Sequence, residues 1–151
     1  MMRWLGVVLC VFFLFLMGCS KEEERRLHIM AFSDELYEQQ EALKPFLTKD
    51  HVTFTVFPTI LERFVVELVG HEADLLLVDG SLTEAIDPEG LVELDELEGV
   101  SVPVHEEEET VALSLQELLV EVVQLEQEHL LLVPVYSDQQ QEALAFVKTW
   151  Q

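Results

Sequence analysis

The chain has 151 residues, eight Lys or Arg against 30 Asp or Glu, a formal net charge of -22 and 50% hydrophobic residues. That length allows one domain with a real core, and a body so acidic repels nucleic acid, so no nucleic-acid partner is expected. The charge is also uneven: residues 1–63 hold seven basic and nine acidic side chains, whereas residues 64–147 hold 21 Asp or Glu and no Lys or Arg.

Arg3 precedes an apolar run from Leu5 to Met17, which has the length of a secretory signal and is too short to span a bilayer comfortably. Leu16, Met17, Gly18 and Cys19 close that run and resemble a bacterial lipobox, the signal for attaching lipid to a cysteine. Residues 1–18 are therefore expected to leave as a signal peptide. Residues 19–26 would be the lipidated Cys19 and a charged tether, and residues 27–151 a single α/β domain. Cys10 would leave with the signal, so no disulfide or free thiol remains. The resemblance implies at least two acyl chains on Cys19, enough for stable attachment at the outer face of the cell membrane.

Beyond the tether, Leu27 to Phe32 reads as a short buried strand, and Ser33 or Asp34 starts a helix with Leu36, Ala42, Leu43, Phe46 and Leu47 as its apolar stripe. Pro45 predicts a break or kink near the end of that helix. Val52 to Phe57 is β-branched and aromatic, a second strand stopped by Pro58. Ile60 to about Val69 follows as a helix with Leu61, Phe64, Val65 and Leu68 on one side, ended by Gly70. Asp74 to Asp79 encloses four apolar residues and reads as a strand covered on both faces. Ser81 to Ile86 is at most a short helix, Asp87 to Gly90 a loop, and Val100 to Val104 a short or edge strand in view of Pro103.

Ser114 to about Glu128 reads as the best helix in the chain, with Leu115, Leu118, Leu119, Val122, Val123 and Leu125 on one side. Leu130 to Tyr136 is expected to be a further strand that tolerates Pro134 only near an edge or bulge, and Ser137 to about Thr149 a last helix. Thr59 with Glu62, Ser81 with Glu84, Ser114 with Glu117 and Ser137 with Gln140 match the capping box at four of these starts. Strands alternating with helices predict right-handed crossovers and a three-layer α/β fold, a mostly parallel sheet of four or five strands with helices on both faces.

One resemblance covers most of the domain. Glu72-Ala-Asp-Leu-Leu-Leu-Val-Asp79, then Gly90-Leu-Val-Glu-Leu-Asp-Glu-Leu97, is similar to the first lobe of the extracellular solute-binding lipoproteins of ABC importers, as is the ending Glu142 to Lys148. Members of that family have two lobes that close on a solute, and this chain has room for one. The resemblance implies a reduced, single-lobe module beside an ABC permease or another envelope protein.

In an open parallel sheet, ligands collect beyond the carboxyl ends of the strands. Ser33, Asp34, Thr59, Asp79, Ser81, Ser137 and Asp138 fall at those ends and are expected to line one rim, with Tyr136 and Phe57 as stacking surfaces. Together they would suit a small polar or cationic solute, although the same residue types at helix starts also serve as caps. The five histidines match no metalloprotease, nucleophile-elbow or phosphate-loop pattern. His105 with Glu106 to Glu109 reads as a solvated acidic loop rather than a metal site. Neither an enzyme nor a cofactor is expected.

Lys21, Arg25, Arg26, Lys44, Lys49 and Lys148 all fall near strand starts or helix ends, whereas Arg63 falls at the other rim. The expectation is a basic edge beside the tether, facing lipid, and an acidic rim facing outward. A membrane-anchored extracytoplasmic lipoprotein with a non-catalytic binding or accessory module results. An alternative is an interaction lipoprotein whose acidic surface docks a basic partner and which has no small-molecule site.

Overall fold

The computed structural model describes residues 25–105 and 110–151. The lipobox with Cys19, the tether lysine Lys21 and the run Glu106 to Glu109 lie outside the described residues. Five strands form one sheet in the order β2-β1-β3-β5-β4: β1 (Leu27–Phe32), β2 (Val52–Phe57), β3 (Leu75–Asp79), β4 (Leu113–Ser114) and β5 (His129–Leu132). The helices are α1 (Asp34–Glu38), α2 (Gln40–Leu47), α3 (Leu61–Gly70), α4 (Leu115–Leu118) and α5 (Gln140–Lys148), with 3-10 turns at Gly80–Ala85 and Pro88–Gly90.

Side chains alternate between the two faces of a strand, and this sheet buries both sets. Ile29, Ala31, Leu75, Leu77 and Leu131 join a cluster with Leu36, Leu43 and Leu47 of the first helical segment and Ala143, Leu144 and Val147 of α5. Met30, Phe32, Leu76, Val78, Leu130 and Leu132 join the other, with Phe64 of α3, Leu82, Ile86 and Val104. The continuous apolar run in β3 thus reflects burial on both sides.

The α/β class holds, but the sheet is mixed. β1 pairs in parallel with β2 and β3, as α2 and α3 carry the chain back between successive strands. After β3 no comparable helix returns it. The 3-10 turns and the single turn of α4 are too short, so β5 starts at the rim where β3 ended and runs antiparallel to it, with Asp79 opposite His129 and Leu76 opposite Leu132. Gly80 permits that approach: its N–H donates to the Glu128 carbonyl at 2.7 Å, and a Cβ there would meet the same oxygen at 3.0 Å.

The expected helix from Ser114 to Glu128 stops at Leu118. Its later amides find acceptors elsewhere: Gln124 N–H donates to the Gln39 side chain at 3.2 Å, and Glu126 and Gln127 N–H donate to the Glu35 carboxylate at 2.8 and 3.1 Å. Leu115, Leu119 and Val123 are nevertheless all buried, so the apolar spacing belonged to burial and not to a long helix. The strand expected to reach Tyr136 ends at Leu132; beyond it Leu91 makes a single bridge to Pro134. Ser101 forms a similar single bridge to Leu113 at the β4 edge, in keeping with the edge assignment of that segment.

None of the four expected capping boxes caps its helix. Ile60 and Gln139 occupy the N-cap positions of α3 and α5, and Asp79, not Ser81, caps the 3-10 turn. Ser114 does occupy the N-cap of α4, without a side-chain bond to the backbone. Ser33 is a working N-cap, accepting from Leu36 N–H at 3.1 Å. The first helix is interrupted at Gln39, and Pro45 sits inside α2 without ending it.

Candidate functional site

The polar residues expected on one rim divide between opposite ends of the sheet, because β5 runs against its neighbours. Ser33, Asp34, Thr59, Asp79 and Ser81 lie at the carboxyl ends of β1, β2 and β3. Tyr136, Ser137 and Asp138 follow β5 and lie at the other edge, beside the start of β3. A single pocket joining Asp34, Asp79 and Asp138 is therefore not formed.

At the first rim the polar groups bond to one another. Asp34 and Thr59 exchange hydrogen bonds, Asp34 N–H to Thr59 Oγ1 at 2.9 Å and Thr59 N–H to Asp34 Oδ1 at 3.1 Å. Asp79 Oδ1 accepts from both the N–H and the hydroxyl of Ser81, at 2.8 and 2.6 Å. His129, at the start of β5, brings the set together: its Nε2 lies 2.6 Å from Ser33 Oγ and 3.9 Å from Asp79 Oδ2. Nδ1 is 2.8 Å from the Gln127 carbonyl, which can only accept, so Nδ1 carries a hydrogen, and with the ring neutral Ser33 donates to Nε2. A serine hydroxyl on a histidine is the geometry of an activated nucleophile. Here, however, both side chains are fully buried, and the hydroxyl oxygen already accepts from Leu36 N–H. What the arrangement does is tie β1, β3 and β5 together at one end.

The second edge is organised by Asp74, which stands before β3 and is 1% exposed. Its carboxylate accepts from His28 N–H at 2.9 Å, Ser137 Oγ at 2.6 Å and Gln139 Nε2 at 3.0 Å. Arg25 reaches it at 3.5 Å and also pairs with Asp138. Buried charge is tolerated only when paired and hydrogen-bonded, and Asp74 meets both conditions. It thereby fixes the chain segment entering β1 to the segment leaving β5.

Beside Asp74, the Tyr136 ring stacks on His71, with centroids 4.3 Å apart. His71 closes α3 in the left-handed conformation (φ 55), costly for a residue with a Cβ. The Tyr136 hydroxyl is buried without a hydrogen-bond partner among the described residues. Burial, then the nearby charges of Asp74 and Glu67, push its pKa up to about 12. An apolar cleft of about 330 Å³ opens here, lined by Leu68, His71, Ile86, Leu91, Pro134 and Tyr136.

The expected stacking surfaces are partly taken. Phe57 has Arg63 over its ring at 4.4 Å and stacks on Phe32. His105 Nε2 bonds the Ile86 carbonyl at 2.9 Å, and among the described residues no group of three His, Cys, Asp or Glu is placed to hold a metal ion. His129 and Asp74 are the two central residues that sequence reasoning missed. Asp74 carried a signal, an acidic residue directly before an apolar strand. His129 carried none, because its partner Ser33 lies 96 positions away.

Arg25, Arg26 and Lys49 lie at the strand-start edge: Arg26 O accepts from Gln139 Nε2, and Lys49 O accepts from Val52 N–H. Lys49 also lies over the Phe146 ring. Lys44 pairs with Glu41 and Lys148 with Glu96. Arg63, over Phe57, belongs to the opposite rim as expected. No helix among the described residues is long and apolar enough to cross a membrane.

Among known proteins, the chain is similar to "Putative lipoprotein YteS" of Bacillus subtilis (strain 168), with 30% identity over 100 residues. The match covers 64% of this chain and 59% of the relative, so the chain spans less than two thirds of that protein. No protein-family model matches, and no solved structure matches.

Proposed function

We propose that this chain is a lipid-anchored extracytoplasmic lipoprotein whose single α/β module works as a non-catalytic accessory component at the cell surface. The observation that carries this reading is the Leu16-Met-Gly-Cys19 motif directly after a signal-length apolar run, supported by similarity to a protein named as a lipoprotein. Cys19 would hold the acyl chains, and Arg25, pinned by Asp74 and Asp138, would mark where the tether joins the domain.

Between solute capture and protein docking, the geometry favours docking. The Ser33 and Thr59 oxygens and Oδ1 of Asp34 and Asp79 already hold hydrogen bonds within the rim, so a polar solute using those atoms would compete with bonds already made. The exposed carboxylates nearby suit a basic partner surface, on an importer permease or another envelope protein. The solute-binding reading keeps one supporting feature, the cleft beside Tyr136, and that cleft is apolar. The test is a thermal-shift screen of residues 20–151 against sugars, amines, peptides and metals, run beside affinity capture from detergent-solubilised envelopes. Docking predicts no stabilising compound and a recovered partner released by salt. A stabilising polar solute, with the effect abolished by Asp79→Ala, would replace docking with solute binding.

A further inference from the structure

Exposed apolar side chains gather on α3 and in the turn after β5. Val66 and Val69 are 62% and 75% exposed at the end of α3, and Val135 is 48% exposed next to Tyr136. They belong to one edge: the His71–Tyr136 stack joins the end of α3 to the segment carrying Val135. Two residues later Asp138 pairs with Arg25, the first described residue. Leu61, Val65 and Val69 recur at i, i+4 and i+8 and extend the apolar stripe along α3, all of them exposed. The cleft beside Tyr136 adds apolar surface to the same edge.

We infer that this edge, led by Val66, Val69 and Val135, sits in the interfacial layer of the bilayer that holds the anchor. The inference rests on the lipoprotein reading and adds the face presented to lipid. Its occupant follows from the chain itself. Arg25 lies six residue steps beyond Cys19, a reach of at most about 21 Å when extended, so the edge carrying Arg25 cannot move far from the headgroups. Exposed valines on so acidic a chain gain by entering the headgroup and acyl boundary. Arg25 and Arg26 stand at the same edge, where cations favour an anionic leaflet. Of the carboxylates there, Asp74 is buried, Asp138 is paired with Arg25, and exposed Glu72 and Asp87, the latter at the mouth of the cleft, oppose the contact. Half-buried Glu35 and exposed Glu126 and Glu128 lie at the far rim, away from lipid.

The test uses the full acylated chain in vesicles of phosphatidylethanolamine and phosphatidylglycerol. The acylated Cys19 leaves no free thiol, so Val69→Cys and Val135→Cys can each be labelled with a fluorophore, and Glu128→Cys reports the far rim. With lipids brominated on the acyl chains, the labels at 69 and 135 lose most of their emission and the label at 128 keeps it. Protein that floats with the vesicles while the labels at 69 and 135 stay bright overturns the lipid contact and leaves the anchor standing. Excimer emission from pyrene at position 69 identifies a second copy as the occupant and also overturns it. Protein that fails to float contradicts both the contact and the lipoprotein reading.

Discussion

At the scale of single residues, the domain depends on two buried polar centres, and each makes a measurable claim. Asp74→Ala leaves the Ser137 hydroxyl, the Gln139 amide and the His28 N–H without their acceptor. The expected loss is about 3 kcal/mol, read as a lower urea midpoint at unchanged slope. Tyr136 makes a claim about pH. Its hydroxyl titrates at about 12 in the folded chain and near 10 when unfolded, so between those values the unfolded state has lost a proton that the native state keeps. Stability therefore falls as pH rises through that window, by about 2 kcal/mol at most, since the ring is only partly buried and solvent screens the charges. Tyr136→Phe, followed by denaturation at pH 9 and pH 11.5, should flatten that decline; an unchanged decline would remove Tyr136 as its source. Ser33 was readable as a helix start because a serine before a helix satisfies orphan amides. Its second role, as donor to His129, depends on a contact across the sheet that no local pattern encodes.

Elements divide in the same way. β1, β2, β3 and α3 were legible because their apolar runs and periods are local; Pro58 follows β2 as expected, whereas α3 includes Gly70 and is closed by His71. The direction of β5 was not, since a short apolar strand reads the same whichever way it runs; the path between Gly80 and Glu128 decides it. The stretch from Ser114 to Glu128 satisfies helical spacing, yet its helix stops after one turn, and the amides of Gln124, Glu126 and Gln127 go instead to Gln39 and Glu35 of another segment. Glu35→Ala should speed hydrogen exchange at the amides of Glu126 and Gln127 and leave those of β1 and β3 protected. Equal protection in both proteins would mean that Glu35 does not hold this loop. The candidate rim failed for the same reason as the direction of β5: once that strand is antiparallel, Ser137 and Asp138 move to the opposite end.

For the molecule as a whole, charge and tether set the behaviour. With a net charge of -22, self-repulsion opposes the compact state, so the melting temperature of residues 20–151 should rise as sodium chloride is raised from about 0.02 to 0.5 M, the range over which screening shortens. A falling temperature would place attractive ion pairs above net repulsion. On the proposed reading, the basic residues at the tether edge and the exposed carboxylates at the far rim would orient the anchored domain, and the anchor is the premise of the functional account. It is tested most directly by mass spectrometry of the N-terminal peptide from chain isolated with the cell envelope. The account predicts a peptide that begins at Cys19 and carries a thioether-linked diacylglycerol. A chain recovered from the soluble cell contents with residues 1–18 intact and an unmodified Cys19 would contradict it.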